Sequence, residues 1–531
     1  MAKSRTRKRN VRWLILCCGA ALLSTSQGTF AATIDGFVTK VASSQEFEIG
    51  HLQIALNSKT HCNTEMLITN ISLLHYSIFG GVSEHNSFVL QDQPEPTSEQ
   101  STSCDSLQWK LGTRVRVLGD SGTQAGAYIA TQVTVYSVTI REDIPAVGND
   151  FEWRGGALLE EKPQVSHATN GWAGTIWIDG YPASITPDTS LLTGPSETQI
   201  AFGSSSFFGG PRLKAILPKG AVRPFSGTLF QPNTWATYRG AGIVNGRLLL
   251  DRLRLWPNWM KPKEGKYLAR LAPIIRDPDY PHHIPGSIVF KHAKPGESLT
   301  VLADQNIQDF VSKLGASLVP QYQAALPETD PTKIHFHFYV VQPEGKTLDN
   351  EMKRLDGLSF LQRPSWNEAV LTLPNGFVCV SMQTLDRIDS KAQLASMLSY
   401  AITSVLQKQS YTARPGIGTS LDTAVVAISQ YEQSLRIGIR QMYLAGYDIR
   451  EAPYAWAVAQ GRPANNPVIN SQHPDKEIPW YAAYAFNYIS QYYKDVDYTK
   501  LKRGEREYQQ FLQQLRKADP EAFAPTHPTH P

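Results

Sequence analysis

The sequence predicts a multidomain protein in which two small all-β units are followed by an α+β, mainly helical unit. Three observations predict it. Short runs of alternating apolar and polar residues, divided by Gly, Asn and Ser, recur from Ile34 to Trp256. The scheme of those runs is written twice. Beyond Asn258-Trp259-Met260 the apolar period lengthens from two residues to the spacing of a helix.

Residues 1–31 have the pattern of an export signal. Lys3, Arg5, Arg7, Lys8, Arg9 and Arg12 form a basic start, Trp13 to Leu23 an apolar run, and Thr29-Phe30-Ala31 a small-residue cleavage site. The apolar run is shorter than the ~18 residues of a spanning helix, which favours removal after Ala31 over retention as an anchor. The residues before Cys17 and Cys18 are Leu16 and Cys17, not the small residue that a lipid-attachment site requires. Six Lys/Arg and no Asp/Glu leave with the segment, so the formal charge goes from +4 to −2. The basic balance belongs to the signal, and nothing supports a nucleic-acid footprint, which needs Lys and Arg clustered on a folded face. The expected location is periplasmic or extracellular, in a bacterial cell envelope, with no transmembrane helix in the mature chain.

Of the five cysteines, Cys62, Cys104 and Cys379 remain after cleavage, in an oxidising compartment. Cys62 and Cys104 share one unit and are the candidate disulfide pair. Two separate thiols are the alternative, because spacing alone does not give the distance between their Cα atoms. Cys379, within Phe377-Val378-Cys379-Val380, reads as a buried core thiol.

The first β unit spans residues 32–145. It contains "IDGFVTKVASSQEFEIGHLQIALNSKTHC", a polar Pro/Ser-rich loop "DQPEPTSEQSTSCDS", then "LQWKLGTRVRVLGD" and "AYIATQVTVYS". Residues 146–262 repeat the scheme. "RVRVLGDSGTQAGAYIATQVTVY" and "WATYRGAGIVNGRLLLDRLRLW" both run strand, Gly-containing turn, strand. Each unit reads as a small antiparallel barrel, and the pair resembles the short OB-like barrel repeats of exported bacterial proteins of unknown function, a resemblance that implies no activity. Trp172, Trp177, Trp235, Trp256 and Trp259 are concentrated in the second copy. Strands and cores favour aromatic residues, and no convergent polar groups accompany these to orient a stacked ligand.

Residues 263–298, with "RDPDYPHHIPG", read as a Pro-rich connector. A third unit follows over 299–518. Ile307, Phe310, Val311, Leu314 and Leu318 recur with helical spacing, and "KIHFHFYVV" alternates as a strand, with Ile334, Phe336, Phe338 and Val340 on one side. His335 and His337 share its other side. Ser390 with Gln393 signals a capping box, and Leu394, Leu398, Ile402 and Val405 follow as the stripe of an amphipathic helix. A second helix ends at Gly446, a third opens behind Pro479, and "GEREYQQFLQQLRKA" is a polar amphipathic helix. The tail over 519–531 is expected to be disordered.

From about Leu299 to Tyr481 the order of motifs resembles the M48 family of zinc metallopeptidases. Leu373-Pro374-Asn375-Gly376 is similar to the family's turn, and Leu398 to Val405 falls on its helix L-x-H-E-x-x-H. "YEQSLRIGIRQMYLAGYD" is similar to the second helix E-x-x-A-D-R-x-G followed by a-G-Y-D, with Arg436, Gly438, Ala445, Gly446, Tyr447 and Asp448 in agreement. His473-Pro474 stands where the family has a His-Pro pair. The resemblance implies a zincin-like fold, zinc bound by two histidines and a glutamate, and a glutamate as general base.

In this chain those four positions are Tyr400, Ser404, Tyr431 and Ala401, three of them within Tyr400-Ala401-Ile402-Thr403-Ser404 and Tyr431 in the second helix. Neutral hydroxyls are poor zinc ligands, Ala accepts no proton, and without the metal no water is acidified. Glu432 is one residue out of register, about 100 degrees around the helix. The expectation is a pseudopeptidase without cofactor, binding a polypeptide or envelope partner in a cleft bordered by Asn375, Gly376, Tyr400, Ser404, Tyr431, Glu432 and His473. Two alternatives stand beside it. One is an active zinc peptidase with displaced ligands His335, His337, Glu432 and His473. The other is a binding protein that acts through its tandem barrels.

Overall fold

The computed structural model describes residues 32–69, 95–140 save 125, 153–194, 225–260, 273–275, 287–290, 298–342, 370–408 save 373–374, 420–459, 468–470 and 480–520. The expected signal, Leu373-Pro374, His473 and the tail from 521 onward lie outside these residues.

Seven strands form the first unit: β1 (Ala32–Ser43), β2 (Glu46–Ile49), β3 (Leu52–Ala55), β4 (His61–Thr69), β5 (Glu95–Thr102), β6 (Arg114–Ser121) and β7 (Ala127–Ile140). Five of them close a barrel, since β1 pairs with β2, β2 with β3, β3 with β7, β7 with β6, and β6 with β1. The β3–β7 pair is parallel and the others antiparallel. Alternation sends Ile34, Phe47, Ile49, Ile54, Val115, Val117 and Val133 inward, each fully buried. Trp109 closes one end, its ring 4.5 Å from Phe47 and its indole N–H donating to Ser44 O at 2.8 Å. The β4–β5 hairpin lies against β7, with β4 parallel to it. Cys62 and Cys104 are bridged, with Cα atoms 5.2 Å apart.

The second unit contains β8 (Trp153–Leu159), β9 (Gln164–Ala168), β10 (Gly171–Ile178), β11 (Tyr181–Ile185), β12 (Ser190–Thr193), β13 (Thr234–Val244) and β14 (Arg247–Pro257). Its ladder runs β9-β10-β11-β14-β13-β8, with β11 and β14 parallel. If β8 and β9 are taken as one strand interrupted at Glu160–Pro163, the connectivity is that of the first barrel. Pro163 has no N–H to give a ladder, which is where the interruption ends.

Detail supports the equivalence. Thr60 and Thr189 each precede the added strand, accept a backbone N–H three residues back at 2.9 Å, and donate to the carbonyl of Ala130 or Leu250 at 2.7 Å. The β10–β11 turn is Asp179-Gly180, with φ of 56° and 75°. That is the two-residue hairpin favoured by Asp-Gly.

The third unit contains β15 (Pro273–Ile275), β16 (Ser287–Phe290), β17 (Ser298–Val301), α1 (Gln305–Leu318), α2 (Gln321–Ala325), β18 (His337–Gln342), β19 (Val370–Thr372), β20 (Phe377–Ser381), α3 (Met382–Arg387), α4 (Lys391–Leu406), α5 (Ser420–Leu444), α6 (Ala452–Ala459), β21 (Val468–Asn470), α7 (Trp480–Tyr492) and α8 (Glu505–Ala518). Its sheet has the order β15-β16-β17-β18-β20-β19. The stretch read as a connector therefore supplies two edge-side strands, too short among their prolines to show an alternating pattern. Asp304 caps α1 by accepting from Asn306 N and Ile307 N at 2.9 and 3.1 Å, and Ile307, Val311, Leu314 and Leu318 are buried as the spacing predicts.

Helix α4 departs from the amphipathic reading. Every residue from Ala392 to Leu406 is buried except Ser404, so the helix is the axis of the core and not one of its walls. Its polar residues are small, so they fit against neighbouring helices, and they break the apolar pattern without marking a solvent face. Cys379 on β20 is a buried free thiol whose burial pushes its pKa up to about 12.

Candidate functional site

The start of α4 is fixed by a buried polar network. Ser390 Oγ accepts Gln393 N at 3.1 Å, and Gln393 Oε1 accepts Asp389 N at 3.1 Å, so the expected capping box forms with its return bond one residue earlier. Glu451, 0 % exposed, accepts from Ser390 Oγ at 3.1 Å, Gln393 Nε2 at 2.9 Å and Arg503 Nε at 2.8 Å. A buried carboxylate held by a cation and two further donors is a compensated charge.

Two turns along α4, Tyr400 and Ala401 are 6 % and 0 % exposed. The Tyr400 ring meets Trp456 of α6 edge-on, with centroids 4.8 Å apart. Helix α5 crosses at the same level. A Cβ on Gly438 would lie 3.0 Å from Tyr400 N and 3.2 Å from Ser399 C, so the two backbones touch there. Ser404 and Glu432 are half-buried, and Glu432 Oε2 is 3.9 Å from Arg436 Nη1. Tyr431 lies in α5, but its side chain is outside the described residues. Asn375 is half-buried, and Gly376 is buried at φ 93°, where a Cβ would overlap His335 O.

Among the described residues, Tyr400, Ala401 and Gly376 are buried and line no open groove, while Ser404 and Glu432 keep part of their surface exposed. The side chains present also do not fit a zinc ion. Tyr400 is packed on Trp456, Ala401 has no donor, Ser404 offers a neutral hydroxyl, and the backbone contact at Gly438 fills the volume between the helices.

Of the displaced set, His335 and His337 have other neighbours. His335, 58 % exposed, faces Glu328 at 3.4 Å, and His337 stacks on Phe377 at 4.8 Å, its pKa lowered by burial. Among the described residues no three His, Cys, Asp or Glu side chains group as metal ligands. His473 is outside those residues.

The motif residues have other work. Arg436 donates from Nε to Asp179 O at 2.8 Å and from Nη2 to Asp179 Oδ1 at 2.9 Å, clamping the hairpin tip of the second barrel. Gly446, at φ 79°, ends α5. Asp448 Oδ1 accepts Arg450 N at 3.0 Å, and its Oδ2 pairs with Arg450 Nη2 at 2.6 Å.

The functional contacts that sequence reasoning missed are those between barrels and helices, and they repeat. β21 pairs with Thr33, Ile34 and Asp35 along the outer edge of β1, and Tyr454 OH accepts Phe37 N at 3.2 Å. In the second barrel the same edge meets one side chain. Gln407 accepts Leu158 N at 2.8 Å and donates to Leu158 O at 3.2 Å, so its amide stands in for a strand residue. Phe37 and Leu158 both enter the core of the helical unit. Past Leu158, Glu161 receives Arg440 in two parallel bonds at 2.8 and 3.0 Å, and Arg440 lies 4.0 Å over the Trp177 ring. Tyr488 OH donates to Gly180 O. Trp177 is thereby structural, as is Trp172, which packs on Phe225 and Phe230. No signal in a single sequence links a Gln at a helix end to a strand edge more than two hundred residues away.

No protein-family model matches this chain, and no curated protein matches its sequence.

Proposed function

We propose that this chain is an exported cell-envelope protein whose C-terminal unit, similar in motif order to M48 metallopeptidases, is a non-catalytic module that binds polypeptide or an envelope protein. The observation that supports this reading is the packing at Tyr400. A helix follows β20 as the motif order requires, but two of its motif positions, Tyr400 and Ala401, are core beside Trp456 and Gly438. Replacement of metal-binding and basic side chains by ones that pack is what a fold retained for binding would show. The reachable residues, Ser404 and Glu432, lie where α4 and α5 approach the second barrel, and that junction is the proposed binding face.

The test has two arms. Metal analysis of the purified full-length protein, together with proteolysis of an unstructured substrate, is expected to give background metal and no cleavage. Stoichiometric zinc with cleavage would return the chain to the peptidases. Equilibrium binding of a peptide library to the full chain and to Ser404→Trp is expected to show binding that the variant loses, and absence of binding by both would remove the binding role.

A further inference from the structure

We propose that the seat of the second barrel on the helical unit is a proton-operated latch, in which Glu160 docks as a neutral acid between two glutamine amides and loosens when it ionises. This inference stands whether or not the junction binds peptide.

Glu160 is the first residue of the break between β8 and β9, directly after the strand edge that Gln407 holds. Its carboxyl receives Gln407 Nε2 at 3.2 Å and is also bonded by Gln441 Nε2 of α5. Among the described residues, the groups around it do not pair it with a positive charge. Its neighbour Glu161 takes the guanidinium of Arg440, and Lys408, past the end of α4, sends its ammonium to Trp259 O at 2.9 Å. From α2 the nearest titratable group is Tyr322, whose pKa is raised by burial and by the Glu160 charge. Among the described residues Glu160 has no ion-pair partner.

Two adjacent acids thus meet the helices differently, one as half of an ion pair and one against neutral amides. As placed, the two amide N–H groups favour the charged carboxyl of the half-buried Glu160, whereas its removal from water without a paired cation favours the protonated form. Gln441 Oε1 is buried without a donor, and an acid proton on Glu160 would supply one after rotation of the amide. Burial, with the Glu161 charge beside it, pushes the Glu160 pKa up to about 8, against the opposing effect of the two amide bonds.

The sign follows from linkage. A carboxyl that holds its proton more tightly when docked stabilises docking fully below its ordinary value of 4.5, and that contribution is lost as pH rises to about 8. Over that window the docked fraction relative to the open state falls by up to about tenfold per pH unit.

Hydrogen exchange on the full chain between pH 5 and 9, corrected for intrinsic rates, reads this directly at the amide of Leu158, which Gln407 holds. Its protection is expected to fall with rising pH up to about 8, while Glu160→Gln, a neutral isostere, flattens the slope. The amides of Val115 and Val117 in the first barrel serve as the reference. A flat wild-type profile, or a slope that survives Glu160→Gln, would overturn the latch. Should that variant not fold, carbon-13 NMR titration of the wild-type Glu160 carboxyl decides. A midpoint above 6 supports the proposal, and one near 4.5 sinks it.

Discussion

The two barrels share one strand scheme, yet each is fastened by different chemistry. The first keeps its leading strand whole, carries a disulfide, and borrows a backbone strand, β21, along its outer edge. The second breaks that strand at Glu160–Pro163 and fastens itself through side chains: the Gln407 amide, the Arg440–Glu161 fork and the Arg436–Asp179 clamp. A repeated unit meets the helical unit by the same edge in both copies. What differs is that a backbone strand, with Tyr454 beside it, satisfies the first edge while side chains alone satisfy the second, and only side chains can carry charge that responds to pH.

The difference can be broken at specific places. Arg436→Ala is expected to have the largest effect, because it removes the guanidinium that pairs with Asp179 at the hairpin tip and leaves that largely enclosed carboxylate only the neutral donors of Gln433 and Tyr238, a loss of about 3–5 kcal/mol. Denaturant unfolding should show it, with protection lost in the second barrel first. Cys104→Ser acts on the first barrel alone. Opening a bridge across 42 residues is expected to cost about 2–5 kcal/mol. Reductant should reproduce it in the wild type and add nothing in the variant.

Gln407→Ala and Tyr454→Phe sharpen the matched edges. Each leaves a buried strand N–H without its partner, for about 1–3 kcal/mol, and hydrogen exchange should place the first loss at Leu158 and the second at Phe37. The smallest effect tests the equivalence itself. Thr60→Val and Thr189→Val remove the same bond in the two copies and are each expected to cost about 1 kcal/mol, read as a shift in unfolding midpoint. Unequal effects would argue that the copies have diverged beyond their connectivity.

Much of the fold was legible locally. Alternation marked β1, β6, β7, β13 and β14, and Ser390-Gln393 marked the start of α4. The short strands β15 and β16 were not legible, since three or four residues hold too few alternations to stand out from a loop. Tyr400, Ala401 and Ser404 were identifiable as departures from a zinc motif, but their burial was not. An amphipathic pattern reports one apolar face, and small Ser and Thr residues can lie in a core as readily as on a surface.

By itself the sequence determined the parts: a strand scheme written twice, helices with their caps, and a chain whose family-like motif positions lack electron-pair donors. These follow from spacing and residue chemistry, which act over a few residues. Only the tertiary structure decided that α4 is core along nearly all its length, that Gln407 completes a strand edge far away in the chain, and that among the described residues Glu160 has no cation such as its neighbour has. Those are matters of proximity between distant segments, set by how the units pack.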